Sequence, residues 1–207
     1  LRGVCVLGMV IVHLLFDLVD AYALASWDYP AIVEFLFTWG GVLFILISGI
    51  CATLGSRSVC RGLVVLGCGI LCTIVTWGAA KLGLIDDWIV IRFGVLHCLG
   101  ICVLFWSICK NTPWWGLLIQ GILLAVLGIY IMELMDAREL TTTAKWLMPL
   151  GIPWKDFASS DYFPLLPYFG FFLLGAVLGK TLYRKQESLL PKLDGKPVIG
   201  FFQWCGR

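Results

Sequence analysis

An ionisable pair interrupts the first apolar run of the chain. His13 and Asp17 stand four residues apart within residues 3–22, so on a helix their side chains share a face. Given the helical rise per residue, His13 lies roughly 16 Å from Arg2, near the middle of a membrane. Ionisable residues at this depth cost several kcal/mol and normally face the bundle interior or water. The pair therefore predicts a polar site inside the membrane.

The chemistry that this pair could support is general base catalysis. A carboxylate beside a histidine orients the ring and stabilises its protonated form. Two alternatives stay open: a proton relay in a carrier for a polar or anionic solute, and a helix–helix hydrogen bond that only fixes packing in a structural membrane partner. We take His13 as the base and Asp17 as its orienting partner as the leading hypothesis.

Two arginines follow the second apolar run. Arg57 and Arg61 stand in the short segment Gly55–Gly62. Guanidinium groups match the geometry of phosphate, so the pair either clamps a phosphate or only anchors this turn at the membrane surface. The chain contains no Walker loop, GxGxxG or nucleophile elbow, which argues against nucleotide hydrolysis.

Four further candidates for substrate binding stand near the ends of later apolar runs. Arg92 and His97 open the fourth run, and Asp161 and Tyr162 precede the sixth. Arg92 either binds a donor or acceptor or pairs with a nearby acid at the membrane edge. His97 either belongs to the site or is a satisfied polar residue. Asp161 and Tyr162 either line the mouth of a site or supply a helix cap and an interfacial aromatic ring.

The elements that position these residues are membrane-spanning helices. The 207 residues are 60% hydrophobic and 14% charged, with a mean hydropathy of +0.95, whereas soluble domains carry about a quarter charged residues. Runs of about 20 apolar residues cross a bilayer as helices, and these runs do not alternate as barrel strands do. The sequence predicts an all-α, polytopic transmembrane bundle of about six spanning helices, with the start of another near Pro197. The six predicted helices cover residues 3–22, 31–54, 62–82, 93–109, 114–134 and 164–182.

Basic residues predict the orientation of this bundle. If Arg2 lies in the cytoplasm, ten of the 15 lysines and arginines fall on the cytoplasmic side. The other five are Lys81, Arg92, Arg138, Lys145 and Lys155. Because Lys and Arg are in excess on the cytoplasmic side of membrane proteins, we expect a cytoplasmic N-terminus.

Charge and cysteine content argue against two classes of function. A net charge of +2 provides no electrostatic footprint for nucleic acid. Most of the nine cysteines lie inside apolar runs, as Cys68/Cys72 and Cys98/Cys102 do. This placement favours small packing residues, and we expect no metal site.

The chain reads as one transmembrane domain over residues 1–207, cut from a longer protein at both ends. Its longest connection, residues 135–163, contains Pro149, Pro153 and Trp154. A loop of this length is either an ordered lid over a site or a tolerated insertion.

Four segments in collinear order resemble a known family. Leu1-Arg2-Gly3 followed by Met9, His13 and Asp17 resembles the first helix of the heparan-α-glucosaminide N-acetyltransferase catalytic-domain family, in a bacterial form. The other three matching segments are Phe44–Gly49, Arg92–Gly100 and Asp161–Gly179. One position departs from the family, because Leu24 stands where the lysosomal enzyme has its catalytic histidine. His13 stands where that enzyme has an asparagine, so the base would have moved onto the first helix.

The resemblance implies acetyl transfer across a membrane. The donor would be cytoplasmic acetyl-CoA, held through its phosphates by Arg57 and Arg61, with no metal. The acceptor would be an amine or hydroxyl of a sugar or glycan on the outer side of a plasma (inner) membrane. The expected partners are the lipid bilayer and this glycan, with a homodimer as an open alternative.

Overall fold

We describe the protein from a computed structural model, which covers residues 31–137 and 142–183 together with Leu7, Gly8, Val10, Ile11 and Leu14. The proposed base His13 and its partner Asp17 therefore lie outside the described residues. The predicted segment near Pro197 lies outside them as well.

The described chain is helical throughout its regular structure. Five α-helices follow one another: α1 (Ala31–Leu54), α2 (Ser58–Lys81), α3 (Val95–Cys109), α4 (Trp114–Asp136) and α5 (Leu165–Leu182). Two short 3₁₀ helices, Asp87–Ile89 and Lys145–Leu150, lie in the connections α2–α3 and α4–α5. The predicted all-α class is confirmed.

Three of the described helices are long and apolar enough to cross a membrane, namely α2, α4 and α5. Two further apolar stretches are shorter, Trp39–Leu54 within α1 and Val95–Cys109, which is α3. The outward faces of α2 and α4 carry exposed apolar side chains such as Val64, Ile74, Leu123 and Val126. Such faces suit contact with lipid.

Glycines bring the central helices into close contact. A Cβ atom at Gly49 of α1 would overlap the carbonyl oxygen of Phe172, and one at Gly175 of α5 would overlap that of Leu46. Gly128 of α4 packs in the same way against Pro167. The backbones approach closely because these positions lack side chains, a common arrangement in membrane bundles. Helix α5 therefore lies between α1 and α4, and α2 packs mainly on α3.

The connections gather at two ends of the bundle. At the first, which we call the Arg61 end, Lys180 near the end of α5 donates hydrogen bonds to the carbonyls of Lys110 and Thr112, each 2.6 Å long. Gly179 packs there against Thr53, near the turn between α1 and α2. The other end, which we call the Asp161 end, contains residues 83–94 and 142–164.

Helix α2 begins four residues earlier than predicted, at Ser58 rather than at residue 62. Only Gly55, Ser56 and Arg57 separate it from α1. Arg61 therefore lies in the first turn of α2 instead of in a loop, and Arg57 directly precedes the helix. This places the two arginines in different environments.

Candidate functional site

A cavity of about 230 Å³ lies between α1, α2 and α3. Its wall is largely apolar. The lining residues are Phe44, Ile47, Ser48, Cys51, Ala52, Arg61, Val65, Leu96, Leu99 and Val103. Among the functional residues predicted from the sequence, Arg61 is the one that lines it.

The cavity is elongated along the bundle. On α1 its wall runs from Phe44 to Ala52, a length of about 12 Å at the helical rise per residue. On α3 it runs from Leu96, at the Asp161 end, to Val103, nearer the Arg61 end. A ligand in the cavity would therefore extend from one end of the bundle towards the other.

Arg61 brings a positive charge into this apolar space. Its Nε and Nη2 atoms are buried and have no hydrogen-bond partner within the described part of the chain. Burying charged donors without a partner costs free energy, so an anion that binds this guanidinium would lower that cost. Gly55 allows the arrangement, because a Cβ atom there would overlap the guanidinium.

Arg57 differs from Arg61. It is exposed and lies outside the cavity lining, at the residue before α2. The two arginines, for which the sequence left open a phosphate clamp or a surface anchor, thus differ: Arg57 is exposed, and Arg61 is half-buried with its Nε and Nη2 atoms shielded from solvent. The cause is the early start of α2, which places Arg61 one helical turn into the bundle.

At the Asp161 end, side chains satisfy the backbone of the extended segment that leads into α3. Ser159 Oγ accepts the amide of Arg92 at 3.1 Å and lies 2.9 Å from the carbonyl of Val90, to which it can donate. Ser160 Oγ donates to the carbonyl of Ile89 at 2.7 Å. Irregular backbone at membrane depth is tolerated only when protein groups bind it.

Two threonines of α2 bind the same segment from the other side. Thr76 Oγ1 accepts the amide of Ile91 at 3.2 Å, and Thr73 Oγ1 donates to the carbonyl of Ile91 at 2.7 Å. The 158–163 strand-like segment also bonds directly, since the amide of Phe163 donates to the carbonyl of Phe93 at 3.0 Å. The α2–α3 and α4–α5 connections thus form one hydrogen-bonded layer. The described part of the long connection is therefore ordered, and its role as a lid over a site stays a prediction.

His97 and Asp161 cap the start of α3. His97 Nδ1 accepts the amide of Gly94 at 3.2 Å, and Asp161 Oδ2 accepts the amide of Val95 at 3.0 Å. Free amides in the first turn of a helix need such partners, and a carboxylate there also complements the helix dipole. Gly94 is required for the approach of Asp161, because a Cβ atom would overlap its carboxylate.

The hydrogen bonds of His97 identify its tautomer. Nδ1 is an acceptor, so the ring proton lies on Nε2, which is 3.2 Å from Thr73 Oγ1. His97 is buried, and its ring stacks on Phe93 with centroids 5.5 Å apart. This is the geometry of a satisfied polar residue, one of the two alternatives that the sequence left open.

Arg92 has donors to spare at this end. Its Nε donates to the carbonyl of Ala158 at 3.2 Å, and its guanidinium lies over Trp154 at 5.7 Å from the ring centroid. Lys145 lies 5.6 Å from the same centroid. No carboxylate forms a salt bridge with either cation in residues 31–137 and 142–183. Two cations near one indole ring form a positive surface at the Asp161 end.

Tyr162 connects the segment before α5 to the 3₁₀ helix Lys145–Leu150. Its hydroxyl donates to the carbonyl of Met148 at 2.6 Å, and its ring meets Phe157 edge to face, 4.8 Å between centroids. Burial raises the pKa of Tyr162 above its ordinary value. The phenol therefore stays protonated and keeps donating at neutral pH.

The structure places Arg92, His97, Asp161 and Tyr162, the four candidates for substrate binding, at the same end of the bundle, and their role in binding stays a prediction. It does not bring Arg57 into the cavity, and it does not describe His13 or Asp17. Sequence reasoning missed the supporting hydroxyls of Thr73, Thr76 and Ser159. Their signal was weak, since hydroxyls are common in membrane helices as packing groups. Among the described residues, no group of His, Cys, Asp or Glu is arranged to hold a metal.

A comparison with known protein families identifies the family of this chain. The family model described as heparan-alpha-glucosaminide N-acetyltransferase, catalytic, matches residues 1–207. The chain belongs to this family. Membership of the heparan-α-glucosaminide N-acetyltransferase catalytic family, together with the apolar helices, indicates an integral membrane protein with acetyltransferase activity. No curated protein and no solved structure gave a match.

Proposed function

We propose that this protein moves an acetyl group from cytoplasmic acetyl-CoA to an amine or hydroxyl of a sugar on the other side of the membrane. One observation carries the proposal. In a chain of an acetyltransferase family, a cavity runs from Arg61, whose buried Nε and Nη2 atoms have no partner among the described residues, towards the layer that holds Arg92 and Asp161. Donor and acceptor can then approach from opposite ends.

The donor enters at the Arg61 end. Arg61 binds its phosphates from within the cavity mouth, and the exposed Arg57 adds attraction from the surface. Arginine is suited to this role because its planar donors match phosphate oxygens. The pantetheine arm follows the cavity and delivers the thioester towards the Asp161 end, and binding of the phosphates by the arginines offsets the cost of bringing its amides into a largely apolar passage.

The acceptor binds at the Asp161 end. Of the four candidates there, Arg92 has guanidinium donors left for a ligand, so we assign it to the acceptor or to the oxyanion of the reaction. His97, Asp161 and Tyr162 hold the layer in place through their hydrogen bonds. Rigid support of this kind positions reacting groups and so contributes to rate.

The acetyl group transfers by attack on the thioester carbonyl. The acceptor nitrogen or oxygen forms a bond to this carbon, and the bond from carbon to the sulfur of CoA breaks. His13, oriented by Asp17, removes the acceptor proton and returns it to the departing thiolate. A histidine base contributes about 10²–10⁴-fold in rate. The position near mid-membrane that the sequence predicts for His13 on the first helix supports this assignment.

The charge distribution supports the orientation. Ten of the 15 basic residues fall on the side of Arg57 and Arg61, which by the Lys/Arg rule is cytoplasmic. We propose an inner-membrane protein with its N-terminus in the cytoplasm. A homodimer remains a prediction.

The test is acetyl transfer by the purified full chain in nanodiscs. It uses acetyl-CoA with a labelled acetyl group and amino sugars or their glycans, with product identified by mass spectrometry. We expect an acetylated sugar, and a loss of about 10²-fold or more in kcat for His13→Ala. A folded His13→Ala protein with full activity would remove His13 from the mechanism. Flux of a labelled solute without acetylation would favour the carrier alternative.

A further inference from the structure

The chemistry of the Arg61 cavity is that of an amphiphile site. Of the ten described residues that line it, Arg61 is the charged one, and Ser48 already donates its hydroxyl to the carbonyl of Phe44 at 2.8 Å. Most of the remaining wall is hydrocarbon from helices α1 and α3, with Val65 added by α2. A cation therefore stands at one end of an apolar passage.

The size of the cavity fits a chain rather than an ion. Its 230 Å³ exceeds the roughly 150 Å³ of an apolar cavity that binds benzene. Its length from Phe44 to Ala52 is about 12 Å. A small anion would pair with Arg61 but leave most of this wall without contact.

The wall also has few partners for a polar chain. An amide that enters an apolar space without hydrogen bonds loses several kcal/mol, whereas each methylene gains from leaving water. The most favourable occupant therefore has an acidic head at Arg61 and a saturated tail along α1 and α3.

We propose that the Arg61 cavity binds anionic amphiphiles with one medium-length hydrocarbon chain, independently of acetyl transfer. The acidic head pairs with the buried Nε and Nη2 atoms of Arg61, and the tail contacts Ile47, Leu99 and Val103. A fatty acid would supply a carboxylate head, and an acidic lysolipid would supply a phosphate head. Either would share the cavity mouth with the proposed donor and compete with it.

The test is photolabelling of the full chain in nanodiscs made from a neutral phospholipid, without acetyl-CoA. The probes are decanoate and decyl phosphate, each with a diazirine at the methyl end. We expect labels on cavity residues between Phe44 and Ala52 of α1 or between Leu96 and Val103 of α3. The probe that labels the protein at the lower concentration shows whether a fatty-acid carboxylate or a lysolipid phosphate is the preferred head group.

Competition by unlabelled compounds tests the need for the acidic head and for the hydrocarbon tail separately. Unlabelled decanoate is expected to block labelling, and decanol, which lacks the charge, to need at least a tenfold higher concentration. Shortening the chain from decanoate to octanoate is expected to weaken competition by about threefold to fourfold for each methylene removed.

Matched variants give the decisive comparison. We expect Arg61→Gln to lower labelling of the cavity at least tenfold, and Arg57→Gln, which changes an exposed arginine outside the cavity, to lower it far less. A thermal unfolding curve of each variant without probe confirms that it is folded. Equal labelling of both variants, or labels confined to the lipid-facing residues of α2 and α4, would overturn the proposal. Because acetyl-CoA is absent, this result is separate from the test of acetyl transfer.

Discussion

Thr73 and His97 form a hydrogen bond whose direction is fixed by a third group. Thr73 donates its one hydroxyl proton to the carbonyl of Ile91 at 2.7 Å, so its oxygen accepts from His97 Nε2 at 3.2 Å. The other ring nitrogen accepts the amide of Gly94. An imidazole between these two partners is a neutral structural link between α2 and the start of α3.

This link predicts different effects for two replacements of His97. His97→Asn places an oxygen near the position of Nδ1 and keeps the cap on Gly94. His97→Ala leaves the Gly94 amide without this acceptor and removes the ring donor to Thr73, which keeps its bond to the carbonyl of Ile91. We expect His97→Ala to lower the free energy of unfolding by about 1–3 kcal/mol and His97→Asn to lower it by less. Unfolding in mixed micelles measures both.

Activity separates the structural role of His97 from a catalytic one. If His97 only supports the layer, His97→Asn retains most of the acetyl transfer. A stable His97→Asn protein without activity would instead show that the imidazole takes part in catalysis.

Gly94 is expected to be intolerant of a side chain. A Cβ atom there would overlap the carboxylate of Asp161 and crowd Ile91. We expect Gly94→Ala to lower the free energy of unfolding by about 1–3 kcal/mol. The control is Gly78→Ala in α2, where nothing lies within 4 Å of the added atom and where alanine should stabilise the helix by roughly 0.5–1 kcal/mol. Equal effects of the two changes would contradict the close approach of Asp161.

The buried hydroxyl of Tyr162 predicts a loss of stability in alkali. Because burial raises its pKa in the folded state, the folded protein holds this proton more tightly than the unfolded chain does. The stabilisation is fully present below the pKa of an unfolded tyrosine, about 10, and it is lost as the pH rises towards the higher folded pKa.

The measurement for Tyr162 is the free energy of unfolding between neutral pH and pH of about 11. Tyr162→Phe is expected to be less stable at neutral pH, through loss of the 2.6 Å bond to Met148, and to show a shallower decline. Parallel curves for the two proteins would mean that the phenol ionises normally.

Arg61 is expected to govern donor affinity without supporting the fold. The buried Nε and Nη2 atoms of Arg61 have no partner among the described residues. Because their removal relieves a desolvation cost, Arg61→Gln should leave the free energy of unfolding unchanged or raised. We expect its KM for acetyl-CoA to rise about tenfold or more, corresponding to the loss of a hydrogen-bonded charge. Arg57→Gln should raise KM less. A larger effect from Arg57 would place the phosphates at the surface rather than at the cavity.

The sequence predicted most helix bounds well, because a long apolar run in lipid must bond its own backbone groups and does so as a helix. The bounds of α1 agree with the predicted 31–54, and those of α5 differ by one residue at its start. The beginning of α2 was wrong because Ser58, Cys60 and Arg61 lower the hydropathy of a turn that is nevertheless helical. Polar residues at a helix end cannot be distinguished from a loop by hydropathy alone.

The polar residues of the Asp161 end could be named from the sequence, whereas their hydrogen bonds could not. Arg92, His97, Asp161 and Tyr162 attracted attention because ionisable and phenolic groups near a membrane are costly or interfacial. The hydrogen bonds between Arg92 and Ala158 and between Val95 and Asp161 join residues 66 positions apart in the chain. Contacts between residues so far apart leave no local pattern in the sequence. The difference in exposure between Arg57 and Arg61 leaves none either.

The most direct test of transfer across the membrane uses sealed proteoliposomes. An amino sugar acceptor is trapped inside, and acetyl-CoA, which does not cross the bilayer, is added only outside. We expect acetylated sugar to accumulate inside, with a much lower rate for Arg61→Gln at limiting acetyl-CoA. Product that forms only when donor and acceptor share one side would contradict the account.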